Sequence, residues 1–149
     1  MKVIKLPKFG NEIINLPYKL SENKQSITYY EGSVQAGFPS PAEDFKEQKL
    51  SLDEKYISKP DATYLIKVAG DSMYPTLQQE DILIVKSDES LDDDSIAIVS
   101  INNTEFTVKR YDKKNNMMKA DNPNYKNVVL EEEDTLLCLG VVKHLIRDL

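Results

Sequence analysis

Two short segments carry the residue types that could do chemistry. Gly70-Asp71-Ser72-Met73-Tyr74-Pro75-Thr76-Leu77 sets a serine just after an apolar run, and Glu105-Phe106-Thr107-Val108-Lys109-Arg110-Tyr111 sets a lysine inside one. A serine at a strand-to-turn junction projects its hydroxyl while the neighbouring backbone N–H groups stay free to hold an oxyanion. Serine alone is a poor nucleophile and needs a base. The single histidine, His144, lies in an apolar C-terminal run and reads as a core or strand-face residue. A neutral lysine can do the work if burial lowers its pKa from ~10.4 towards ~7 to 8, a shift worth about 4 kcal/mol. Strand alternation puts Lys109 on one face with Glu105, Thr107 and Tyr111, and Phe106 and Val108 on the other. Each signal has a plain structural counterpart, since serine is common in turns and lysine on exposed strand edges.

The elements that must position these two residues are strands. After Asp61 the chain runs through short β-branched or aromatic segments at 64–68, 82–86, 95–101, 105–111, 117–120, 127–130 and 136–146. Polar clusters such as Asn102-Asn103 separate them, so a mainly β, partly barrel-like body is expected. Before it, Ser51-Leu52-Asp53-Glu54 has capping-box spacing, and a short helix should start there and end before Pro60. The first 35 residues, interrupted by Pro7, Gly10, Pro17 and Gly32, show no sustained period of 2 or 3.6 and read as a mobile or loosely packed arm. Gly37-Phe38-Pro39-Ser40-Pro41 favours an extended backbone, the form a protease grips.

Composition narrows the function classes. The chain has 149 residues, 40% of them hydrophobic, enough for one real core. Its apolar stretches are far shorter than the ~20 residues a membrane helix needs, and the start lacks the apolar core of a signal peptide, so a cytoplasmic protein is expected. One cysteine, Cys138, excludes an intrachain disulfide and reads as a small buried hydrophobe. With one histidine no metal-ligand cluster forms, and no metal or cofactor is expected. The net charge of -6 argues against direct binding to duplex DNA. Residues 1–36 hold five Lys against three Glu, a balance of +2 that leaves -8 on the rest, so a mildly basic arm faces an acidic body. The acidic stretches 88–94 and 131–134 read as solvated turns.

The segment GDSMYPTL, then EDILIV and FTVKRY, resembles the paired serine and lysine boxes of the UmuD and LexA self-cleaving proteases (peptidase S24) in order and spacing, from about Gly37 to the end of the chain. The resemblance implies that Ser72 attacks, that Lys109 is the base, and that the backbone N–H groups of Asp71 and Ser72 form the oxyanion hole. It also implies a scissile Ala-Gly bond ahead of the catalytic core, matched here by Ala36-Gly37, which would divide the chain into an arm, 1–36, and a protease and dimerisation domain, 37–149. Gly37 precedes Ser72 by 35 residues, roughly 115 Å of extended chain at ~3.3 Å each, so the bond can fold back to the serine. Only 36 residues precede Gly37, without paired amphipathic helices, which favours the UmuD branch over LexA-like repressors with a DNA-binding domain. That branch implies an SOS-response role: activation by RecA filaments on single-stranded DNA, a homodimeric product, and partnership with a UmuC-type Y-family polymerase in translesion synthesis. Two alternatives stay open, a signal-peptidase-like Ser/Lys enzyme and a non-catalytic scaffold of the same fold that binds a polymerase.

Overall fold

The computed structural model describes residues 8–15, 26–31 and 46–149. In chain order the elements are β1 (Ile13–Asn15), β2 (Ser26–Glu31), β3 (Lys46–Ser51), α1 (Leu52–Tyr56), a 3-10 turn at Pro60–Ala62, β4 (Thr63–Val68), β5 (Ile82–Lys86), β6 (Ile96–Ile101), β7 (Thr107–Asp112), β8 (Met117–Lys119), β9 (Val128–Val129) and β10 (Leu136–Ile146). The described residues fall into two units, one formed by 8–15 with 60–149 and the other lying within 18–59.

In the smaller unit β2 and β3 pair antiparallel from Ser26↔Ser51 to Glu31↔Lys46. Ser51 then caps α1, its hydroxyl accepting from the Glu54 N–H at 3.4 Å. This is the N-cap half of the expected capping box, and it satisfies an N–H that the first helical turn leaves without a partner.

The larger unit is an eight-stranded curled sheet in the order β1-β4-β5-β10-β6-β7-β8-β9. Its ladders are antiparallel. All seven body strands expected from β-branched runs are present, with ends shifted by two residues at most. Curling gives β6 two buried faces. Ile98 joins a cluster with Ile13, Ile66, Met73, Leu77, Leu83, Val85, Phe106 and Val108, while Ala97 and Val99 join Met118 on the opposite side. Strand β10 reaches two neighbours by bending, with register shifts at Cys138/Gly140 against β6 and at Val142/His144 against β5. Gly140 occupies the first shift, where a Cβ would come within 2.8 Å of the Lys86 carbonyl oxygen.

Two sequence-based expectations need correction. The described part of the arm at 8–15 is not loose: Ile13 is fully buried and β1 forms the sheet edge beside β4. Phe106 N–H donates to the Lys8 carbonyl at 2.7 Å, and Gly10 N–H donates to the Phe106 carbonyl at 3.0 Å. A three-residue strand is too short to show a period, and only its partner defines it. Cys138 is exposed rather than buried, and it stands at the register shift between β10 and β6.

Candidate active site

The serine turn hangs from the end of β4 and is anchored just beyond Ser72. Met73 and Leu77 are 1% and 2% exposed and belong to the larger core cluster. Tyr74 N–H donates to the Asp71 carbonyl at 3.1 Å and Leu77 N–H to the Met73 carbonyl at 2.9 Å, closing two turns that leave Ser72 facing inward. Ser72 is 1% exposed, and its Oγ is closed to solvent with no hydrogen-bond partner among the described residues. An orphaned buried hydroxyl costs about 1–3 kcal/mol, so native structures keep few of them, and a catalytic role is one of the reasons they are kept.

Lys109 sits mid-strand on β7, opposite Ala97 of β6. Ala97 is fully buried and small, so the lysine stem lies over the Ala97-Met118 side of the sheet while Phe106 and Val108 fill the other core. This is the alternation expected from sequence. The side chain is half-buried. Burial pushes its pKa below that of an ordinary lysine, and the charge of Glu12 works in the opposite direction. A lysine so depressed supplies a neutral amine at lower pH than a solvated one would.

A third segment, after β8, ties the serine turn to the lysine strand. Asn122, 7% exposed, donates its N–H to the Ser72 carbonyl at 3.0 Å and its Nδ2 to the Asp71 carbonyl at 2.9 Å. Tyr125 donates its hydroxyl to Asp71 Oδ1, and its ring lies 5.8 Å below Lys109 Nζ. That hydrogen bond to Asp71 is the main reason the Tyr125 pKa is pushed up to about 12. Asp121 anchors the segment to β7 through a two-pronged bond with Arg110, at 2.8 Å to Nε and 2.7 Å to Nη2. Its N–H reaches Met73 Sδ at 3.4 Å. The contacts to the serine turn join residues about 50 apart in sequence. The one local hint was Asp121-Asn122-Pro123, a run of turn formers between two strands.

A fourth contributor comes from the arm. The Glu12 carbonyl accepts from Ala69 N–H at 2.8 Å and Gly70 N–H at 3.1 Å, and its side-chain Oε2 accepts from Ser72 N–H at 3.3 Å. Of the other residues singled out from sequence, His144 is exposed on β10, and Ala36-Gly37 lies outside the described residues. Among the described residues no group of three His, Cys, Asp or Glu could hold a metal ion, and no helix is long and apolar enough to cross a membrane.

A buried serine with no partner among the described residues, a desolvated lysine on β7 and a backbone N–H beside the serine are the kinds of part that serine-lysine acyl transfer uses. The chain belongs to the Peptidase S24-like family, whose model matches residues 28–143. It is 41% identical to Protein MucA of Escherichia coli over 86 residues, a match covering 57% of this chain and 58% of MucA. Protein ImpA of Shigella flexneri is 38% identical over 123 residues, covering 76% of this chain and 78% of ImpA. The LexA repressor of Acidithiobacillus ferrooxidans strain ATCC 53993 is 39% identical over 121 residues, covering 78% of this chain and 58% of the repressor.

Proposed function

We propose that the chain is a self-cleaving serine endopeptidase of the UmuD type that cuts its own Ala36-Gly37 bond. In this reading Ser72 Oγ attacks the Ala36 carbonyl carbon while Lys109 Nζ takes the hydroxyl proton. The backbone N–H groups of Asp71 and Ser72 receive the oxyanion. As the C–N bond breaks, Lys109 returns its proton to the Gly37 nitrogen; it then takes one from the water that attacks the Ala36-Ser72 ester and gives it to Ser72 Oγ as that ester opens, leaving the Ala36 carboxylate. The cut separates residues 1–36 from 37–149. Contact with RecA filaments on single-stranded DNA triggers it in the cytoplasm, and the product dimerises and serves a UmuC-type translesion polymerase. Similarity to MucA and ImpA supports this branch of the family over a repressor.

The observation that carries the catalytic reading is the Ser72 hydroxyl, buried and unpaired at a site where the same loop contacts reach both Asp71 and Lys109. The test is intact mass after incubation with RecA, single-stranded DNA and a nucleoside triphosphate, beside Ser72→Ala and Lys109→Ala. A fragment beginning at Gly37 that is absent from both variants is expected. No cut under these conditions or at pH 10 would replace the enzyme by a non-catalytic polymerase-binding module.

A further inference from the structure

The oxyanion subsite beside Ser72 is already filled. Glu12 Oε2 takes the Ser72 N–H at 3.3 Å, the same N–H that a tetrahedral intermediate would need. The hold on Glu12 is built from several directions. Its carbonyl caps the N–H groups of Ala69 and Gly70, and the next residue, Ile13, is fully buried in the core and paired with Val68. Gly70 permits the approach, because a Cβ there would collide with both oxygens of the Glu12 carboxylate. The stretch 8–11 is held as well, through the bonds of Lys8 and Gly10 to Phe106.

The geometry points to Glu12 as a tethered inhibitor: its carboxylate occupies the carboxylate-binding subsite formed at the Ser72 N–H, and the enzyme stays idle until that side chain withdraws. This rests on the self-cleavage reading above and deepens it. A carboxylate is the functional group that peptide hydrolysis leaves on the acyl side, so a site shaped for the oxyanion accepts one readily. Glu12 acts twice. It blocks the hydrogen bond that the reaction uses, and its negative charge favours the protonated form of Lys109, which cannot serve as base. Both effects favour the resting state, so the reactive arrangement is a minor population whose share sets the unactivated rate. Glu12 lies in the segment that cleavage at Ala36-Gly37 would separate from the body. Whatever draws β1 away from β4 relieves the block, which makes this edge strand the element an activator must act on.

The test compares the full-length protein with Glu12→Ala and Glu12→Gln, and uses Ser72→Ala as the blank. Two rates are followed by intact mass without activator: labelling of Ser72 by diisopropyl fluorophosphate and appearance of the fragment beginning at Gly37. Glu12→Ala is expected to raise both at least about tenfold. Glu12→Gln keeps the side-chain volume and one acceptor oxygen but no charge, so it should shift both in the same direction by less, and it decides the matter if Glu12→Ala folds poorly. Ser72 labelled at the wild-type rate or slower in both variants would overturn the inhibitor while leaving the peptidase intact. No serine labelling and no cut in any of these proteins would instead remove the self-cleavage reading, and the inhibitor with it.

Discussion

Ser72 and Asp81 lie nine residues apart, flank the same turn region between β4 and β5, and are each 1% exposed, yet they are treated in opposite ways. Asp81 is saturated: Arg147 donates to it from Nε at 2.7 Å and Nη2 at 2.6 Å, and Gln78 N–H adds a bond at 2.8 Å. The Arg147 hydrogen bond is the main reason its carboxyl is held below the usual carboxylate range. Ser72 Oγ has no partner among the described residues. A buried polar group kept for stability is surrounded by partners, whereas one kept for reaction must stay available to a group that arrives later. The Asp81-Arg147 pair pins the end of β10 to the start of β5 and so gives the serine turn a fixed far end.

The largest expected effect follows from the unpaired side of this contrast. If the proposed reaction holds, Ser72→Ala should lower self-cleavage at least about a thousandfold, and Lys109→Ala should do the same, because each removes one half of the proposed nucleophile-base pair. Ser72→Ala removes an unsatisfied hydroxyl, so its urea midpoint should equal or exceed that of the parent. A midpoint well below the parent would mean that the hydroxyl has a structural partner and that the contrast with Asp81 is false.

The saturated side gives the next effect. Arg147→Ala removes the main partners of the Asp81 carboxylate and should lower the urea midpoint clearly below that of the parent. The pH dependence has a definite sign. With the folded Asp81 pKa depressed, the pair's contribution is fully present above the unfolded value of ~3.9 and is lost as pH falls through the lower folded value. Arg147→Ala should therefore flatten part of the acid limb of the stability profile. An unchanged acid limb would place the acid sensitivity elsewhere.

The sequence made one half of this contrast legible and hid the other. The body strands were readable because 82–86 and 96–101 are apolar β-branched runs between turn formers, and the serine and lysine boxes stand at the end of one strand and within another. Strand β3 escaped notice because Lys46-Glu47-Gln48-Lys49 has little strand preference of its own; pairing with β2 defines it. Asp81, Asn122, Tyr125 and Glu12 were invisible as site residues, since contacts across 66, 51, 54 and 60 residues leave no local period. Local patterns report what a segment buries, and the partners of polar groups are decided by the closed fold.

A smaller effect comes from Lys109, the proposed base. Burial depresses the Lys109 pKa, so the neutral fraction grows with pH and reaches its midpoint below the ~10.4 of a free lysine. Unactivated cleavage should rise from pH 7, by about tenfold per unit at most, and bend towards its plateau at lower pH than a free lysine would allow. The charge of Glu12 works against burial and moves the midpoint upward. A rate that is flat from pH 7 to 10 would rule out a lysine base. The same depressed pKa means that the unfolded chain binds more protons in this window, so the lysine's contribution to stability improves as pH rises through it.

The smallest effect tests whether an unpaired hydroxyl is by itself a mark of function. Tyr64 OH, on β4 before the serine turn, is the second buried side-chain atom without a partner among the described residues, and burial pushes its pKa up. It differs from Ser72 in its surroundings. Tyr64 packs against the main apolar cluster and pairs with Val85 in the β4-β5 ladder, and the charge that adds to burial in raising its pKa is that of Cys138. Tyr64→Phe should leave cleavage within about twofold and raise stability by up to about 1 kcal/mol, because it removes a desolvated group and keeps the ring. A large loss of cleavage would extend the reactive region across the sheet to Tyr64, and the difference between the two hydroxyls would then lie in their distance from the scissile bond instead of in their chemistry.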